Sequence, residues 1–113
     1  MTVTIYHNPQ CSNSRKALEL IQARGIEPVV VEYLKTPLKH DALEALIARL
    51  GIPLREVMRT REAVYAELNL ASAGDGVLLD AIAAHPVLLN RPIVVTDKGA
   101  KLGRPGETVL DLL

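Results

Sequence analysis

The chain has 113 residues, 49% of them hydrophobic, and its 13 basic side chains balance its 13 acidic ones. This length and composition predict a single globular domain over residues 1–113 and exclude a disordered or collagen-like chain. The neutral charge argues against a nucleic-acid partner. One cysteine excludes an internal disulfide and a four-cysteine zinc site, and no apolar run could span a membrane. We expect a cytoplasmic monomer with a free thiol, no bound metal and no membrane partner.

The first third of the chain predicts a strand, a helix and a second strand. Residues 3–6 are rich in β-branched and aromatic side chains and predict a strand, which Asn8-Pro9 ends. Residues 12–25 place apolar side chains one turn apart and predict a helix. Residues 29–33 predict a second strand, and their run of valines favours burial on both faces. This order within about 30 residues predicts a parallel strand pair.

The middle of the chain predicts a helical insertion at about residues 39–85. Residues 39–50 carry leucine and isoleucine at helical spacing and are followed by a glycine, which is typical of an amphipathic helix and its stop. Residues 53–58 and 61–70 predict two short helices, and residues 75–84 predict a further one.

Strand character returns near the end of the chain. Residues 93–96 predict a strand, residues 97–99 a hairpin turn, and residues 100–102 its partner strand. Residues 105–113 predict a closing helix with proline in its first turn. The complete order predicts an α/β, thioredoxin-like fold: a four-stranded mixed sheet (β-α-β, helices, β-β-α) flanked by helices. Such a fold places its reactive group where the first strand gives way to the first helix.

Cys11 lies at that junction. The unpaired N–H groups and partial positive charge of a helix N-terminus favour a thiolate over a thiol. A hydroxyl from Ser12 or Ser14 could add support, and His7 and Arg15 are also close to the cysteine in sequence. The residues after Cys11 are Ser-Asn-Ser, so the second cysteine of a Cys-x-x-Cys motif is missing. Redox chemistry at this cysteine therefore requires an external thiol.

Several arginines at the edges of predicted elements are candidate oxyanion ligands. Arginine binds tetrahedral oxyanions through paired N–H groups, and Arg59, Arg61, Arg91 and Arg104 all lie at such edges. Pro92 leads directly into the third strand, where a thioredoxin-like domain has a cis-proline that faces the reactive cysteine. Their convergence on the cysteine would depend on the tertiary packing of these distant segments.

Several motifs together carry a family resemblance. Residues 5–15 read Ile-Tyr-His-Asn-Pro-Gln-Cys-Ser-Asn-Ser-Arg, residues 85–86 His-Pro, residues 90–95 Asn-Arg-Pro-Ile-Val-Val, and residues 103–105 Gly-Arg-Pro. In order and spacing these motifs resemble the signatures of glutaredoxin-coupled arsenate reductases of the ArsC type. The likeness covers essentially the whole chain.

The resemblance implies a mechanism and a set of site residues. Cys11 would attack arsenate to form a thioarsenate adduct, glutathione would displace oxygen at arsenic as a co-substrate, and glutaredoxin would release arsenite. No cofactor would be bound. The oxyanion-binding arginines of the family fall on Arg59, Arg91 and Arg104, with Arg61 a close competitor of Arg59. The histidine that influences the thiolate falls on His7.

Two other functions remain open at this point. A glutathione-linked thiol reductase acting on another substrate would use the same cysteine and fewer oxyanion arginines. An Spx-like regulator would bind a protein partner without catalysis; such regulators typically carry Cys-x-x-Cys, where this chain has Ser14. Many arsenate reductases of the family have Gly-Thr-Ser after the cysteine, whereas residues 12–14 here are Ser-Asn-Ser.

Overall fold

A computed structural model describes all residues 1–113 and divides them into two compact units. The first unit combines Met1–Thr36 with Arg91–Leu113, and the second is Pro37–Asn90. None of the helices is both long enough and apolar enough to cross a membrane.

The first unit contains the predicted four-stranded mixed sheet. Its strands are β1 (Thr4–Tyr6), β2 (Val29–Val31), β3 (Ile93–Thr96) and β4 (Gly99–Leu102), in the spatial order β2-β1-β3-β4. β1 pairs with β2 in parallel, while β3 is antiparallel to both β1 and β4. The strand–helix–strand unit, the hairpin and the thioredoxin-like arrangement are thus confirmed.

Two helices complete the first unit. α1 spans Ser12–Ala23, and the closing helix, Gly106–Leu112, is a 3-10 helix that Pro105 precedes instead of occupying its first turn. Both helices pack on the face of the sheet that carries Ile5. The buried residues of this core, all aliphatic, are Val3, Ile5, Ala17, Ile21, Val94, Val109 and Leu112.

β2 is exposed, so the prediction that it is buried on both faces was wrong. Val29 is 53% exposed and Val30 is 42% exposed. β2 is an edge strand that pairs only with β1, and a run of valines does not distinguish an edge strand from a central one. The strand also ends at Val31, before the buried Tyr33.

The second unit is the predicted helical insertion. Its α-helices are α2 (His40–Leu50), α3 (Ala63–Glu67) and α4 (Asp75–Ala84), with 3-10 turns at Leu54–Val57, Leu70–Ser72 and Pro86–Leu88. The helix predicted over 61–70 is shorter than expected because Asn69 adopts a left-handed conformation (φ 54°) that ends the segment.

The guanidinium of Arg55 donates three hydrogen bonds within the second unit. It donates hydrogen bonds to the Tyr65 hydroxyl (2.7 Å), the Leu70 carbonyl (2.8 Å) and the Ala73 carbonyl (2.8 Å). One side chain from a 3-10 turn therefore bonds to α3, through Tyr65, and to two carbonyls of the segment that follows it.

Candidate active site

Cys11 is the N-cap residue of α1 and is only 6% exposed. The loop that delivers it from β1 is organised by Asn8, which is also 6% exposed. The Asn8 carbonyl accepts the Cys11 N–H (3.0 Å), and the Asn8 Oδ1 accepts the Gln10 N–H (3.0 Å). These two bonds fix the backbone just before the sulfur.

The surroundings of Cys11 favour its thiolate. Burial raises the pKa of the thiol, but the backbone N–H groups of Ser14 and Asn13 oppose that effect. Both N–H groups lie in the first turn of α1, at the positive end of the helix, although the sulfur does not complete a geometrically strict capping hydrogen bond. The charges of Arg91 and Arg104 act in the same direction, and together the four groups place the pKa below its ordinary value of 9.0.

Arg104 lies directly beside the sulfur. Its Nη1 is 3.8 Å from Cys11 Sγ and 3.2 Å from the Arg91 carbonyl oxygen, which accepts a hydrogen bond from it. The sheet explains this convergence, because Ile93 is opposite both Tyr6 of β1 and Leu102 of β4. The segments that follow Tyr6 and Leu102 and the segment that precedes Ile93 therefore meet at one end of the sheet. These segments carry Cys11, Arg104 and Arg91.

Two cis peptide bonds lie in the segments that carry these arginines. The Arg91-Pro92 bond is cis, as predicted. The Arg104-Pro105 bond is also cis and was not predicted.

His7 and Ser14 form a buried polar pair behind the cysteine. The Ser14 Oγ is 2.6 Å from His7 Nδ1 and accepts the Asn8 N–H at 3.0 Å. Burial lowers the pKa of His7 below 6.5, and Arg15 lowers it further, while Glu32 opposes the shift. Burial therefore favours the neutral imidazole, and the direction of the hydrogen bond between Ser14 Oγ and His7 Nδ1 follows the tautomer of the ring.

Ser14 and Arg15 were predicted to support the thiolate. In the structure, their side chains hydrogen-bond to the loop around Cys11 and not to its sulfur. The Ser14 hydroxyl is bonded to His7 and Asn8, so Ser14 acts on the sulfur through its backbone N–H. The Arg15 guanidinium donates to the Pro9 carbonyl at 2.8 Å and is exposed. Arg15 therefore stabilises the loop that precedes the cysteine.

Arg59 belongs to the helical unit. Its guanidinium pairs with Glu62 at 2.9 Å, and about a quarter of its side chain is exposed. Its backbone N–H donates to the Leu88 carbonyl at 2.8 Å. Arg61 is exposed. A role for either arginine in binding an oxyanion stays a prediction.

Sequence reasoning missed Asn8 as a site residue. The available signal was its position before Pro9, since asparagine side chains bond to the backbone two residues further on in such turns. That signal identifies a turn, but it does not reveal that the turn carries the cysteine N–H.

Comparison with known proteins gives concordant results. The ArsC family model matches residues 6–112. An arsenate reductase of Rhizobium meliloti is 52% identical, over 100% of this chain and 82% of its own length. The uncharacterized protein YfgD of Escherichia coli strain K12 is 46% identical, over 98% of this chain and 96% of its own length. The solved structure of an arsenate reductase from Vibrio cholerae has a TM-score of 0.96 and 46% identity, covering 100% of this chain and 98% of that one.

Proposed function

The chain belongs to the ArsC family, and on that basis we propose that it reduces arsenate to arsenite with Cys11 as the nucleophile. The observation that carries the proposal is the contact between the Arg104 guanidinium and the Cys11 sulfur at 3.8 Å, beside Arg91. A tetrahedral oxyanion needs cationic donors at the point where the nucleophile attacks it. Here the same two cations also favour the thiolate.

The first proposed step forms a sulfur–arsenic bond. The Cys11 thiolate attacks As(V), and one arsenate oxygen leaves as water after protonation. Arg91 and Arg104 neutralise the charge of the oxyanion during the approach, because two anions would otherwise repel each other. A thiolate is required, since the thiol is a much weaker nucleophile.

The two electrons come from two external thiols. Glutathione displaces a second arsenic oxygen as water and leaves its sulfur bonded to arsenic. A glutaredoxin thiolate then attacks the glutathione sulfur and forms a mixed disulfide, and the electron pair of the broken sulfur–arsenic bond reduces As(V) to As(III). Water displaces As(III) from Cys11 as arsenite and regenerates the thiolate. This dependence on external thiols follows from the single cysteine and suits the reducing cytoplasm.

The other site residues act on the geometry of the cysteine in this proposal. His7 is hydrogen-bonded to Ser14 and burial lowers its pKa, so in this proposal it positions the turn that offers the Ser14 and Asn13 N–H groups to the sulfur. Arg59 is proposed as a third oxyanion ligand on the strength of the family resemblance alone.

The proposal is tested by arsenate-dependent NADPH oxidation, coupled through glutathione, glutaredoxin and glutathione reductase. Cys11→Ser should abolish turnover, because an alcohol does not form the required bond. Arg91→Ala should raise the KM for arsenate about 10- to 150-fold, the loss of one charge-assisted hydrogen bond of about 1.5–3 kcal/mol. Arg24→Ala, at the exposed far end of α1, is the matched control and should behave as the wild type.

Two results would contradict the proposal. Turnover in Cys11→Ser would exclude the cysteine as nucleophile. Absence of arsenate turnover in a wild-type protein whose Cys11 is still rapidly alkylated would favour a glutathione-linked reductase of another substrate.

A further inference from the structure

The seven glycines fall into three groups by what each position requires. Gly25, Gly51 and Gly99 have positive φ values, which explains them as turn residues. Gly74 and Gly76 have open space where a Cβ would lie. The third group is Gly103 and Gly106. Their φ values are not positive, so the backbone could accept alanine, but a Cβ at either position would come too close to neighbouring atoms. These two glycines flank Arg104-Pro105 on either side.

Gly103 packs against the proline that follows Arg91. A Cβ at Gly103 would lie 2.8 Å from Pro92 Cγ and 3.0 Å from Val109 Cγ1, both closer than real packing allows without movement. The Gly103 N–H also donates to the Pro92 carbonyl at 2.8 Å. The backbone immediately after β4 can therefore reach Pro92 only because residue 103 has no side chain.

Gly106 packs against the first turns of α1. A Cβ at Gly106 would lie 3.0 Å from the Asn13 carbonyl oxygen, 3.0 Å from Lys16 Cβ and 3.1 Å from the Ala17 nitrogen. Two of these three atoms belong to the helix backbone, which cannot rotate away as a side chain can. Alanine at this position would push the closing helix and α1 apart by a few tenths of an ångström.

We propose that Gly103 and Gly106 are positioning residues that set the separation between the Arg104 guanidinium, the Arg91-Pro92 segment and the Cys11 sulfur. Gly103 fixes one end of the Arg104 segment on Pro92, and Gly106 fixes the other end on the helix that Cys11 caps. The Arg104 Nη1 to sulfur distance of 3.8 Å is already long for a hydrogen bond to sulfur, so a small displacement weakens it. The part of this inference that concerns arsenate rests on the proposed function.

A double-mutant cycle tests the proposal. Gly106→Ala and Gly103→Ala are each made in the wild type and in Arg104→Ala, and two quantities are measured: the Cys11 pKa from thiolate absorbance and the kinetic constants for arsenate. In the wild-type background each glycine variant should raise the Cys11 pKa and raise the KM about threefold to tenfold, with a smaller change in kcat. In Arg104→Ala the same substitutions should change both quantities by less than in the wild type, because the part of their effect that passes through that arginine is lost.

Controls separate positioning from loss of fold. Gly76→Ala lies in α4 of the other unit, where a Cβ meets nothing within 4 Å, and should leave both quantities unchanged. Circular dichroism establishes that each variant is folded under assay conditions. If Gly106→Ala does not fold, Gly103→Ala carries the test alone, and adding Val109→Ala, which removes one of the two closest contacts, should bring the Cys11 pKa part of the way back.

Effects of equal size with and without Arg104 would overturn the proposal. So would folded glycine variants whose Cys11 pKa and KM match the wild type. The Cys11 pKa is measured without arsenate. If the proposed function fails, the wild type will show no arsenate turnover, while the pKa changes of the glycine variants will still depend on Arg104.

Discussion

Replacing Ser14 by alanine removes one hydroxyl that satisfies two buried groups. Ser14 is completely buried, and its Oγ accepts the Asn8 N–H and lies 2.6 Å from His7 Nδ1. A buried polar group left without its partner costs about 1–3 kcal/mol. Ser14→Ala leaves two such groups, so the free energy of unfolding should fall by at least about 2 kcal/mol. For a chain of this size that corresponds to a Tm lower by at least about 8 °C.

Urea unfolding followed by circular dichroism measures the effect. The matched control is Ser12→Ala, which lies in the same turn of α1 but is exposed, and it should change stability by less than about 0.5 kcal/mol. A loss in Ser14→Ala no larger than that in Ser12→Ala would refute the reasoning. It would mean that the His7–Ser14–Asn8 bonds contribute nothing net to the folded state.

Two further predictions concern pH and the helical unit. The folded pKa of Cys11 lies below its ordinary value of 9.0, so the thiolate's contribution to stability is fully present above pH 9.0 and is lost as pH falls through the folded pKa. Urea titrations at several pH values give the difference in unfolding free energy between the wild type and Cys11→Ser. This difference should rise toward pH 9.0, and a flat or falling difference would contradict the prediction. Arg55→Ala removes the donor to Tyr65 and to two carbonyls, so the free energy of unfolding, measured in urea, should fall by about 2–4 kcal/mol. The control Arg61→Ala, at an exposed position, should lower it by less than about 0.5 kcal/mol. Equal losses would show that the Arg55 bonds are not stabilising.

The elements of the fold follow from local sequence more readily than their surroundings do. The 3.6-residue periodicity and the stop at Gly51 predict α2 almost to its ends, because both signals are local. Burial of β2 was not predictable from its valines, because its exposure depends on sheet order. The end of α3 was missed because a left-handed Asn69 is one of several conformations that asparagine adopts.

The candidate site was predictable in its residue types but not in its geometry. A cysteine after a strand and before a helix is a local pattern, and it locates Cys11 at the N-terminus of α1. Arg104 is 93 positions away along the chain, and its contact with the sulfur depends on strand register and on the packing of Gly106. No local pattern encodes such a distance, which is why Gly103 and Gly106 were not identified as site residues.

The cap of α1 has a consequence for how the protein changes during turnover. Helices commonly begin at a serine, threonine or aspartate whose chemistry is constant, whereas α1 begins at the one residue that the proposed reaction modifies covalently. Each stage of the proposed cycle therefore places a different group at the N-cap position of α1: a thiolate, an As(V) adduct or an As(III) adduct. Since Gly106 packs directly on the first turns of α1, the closing helix rests on the same turns whose N-cap residue the proposed reaction modifies.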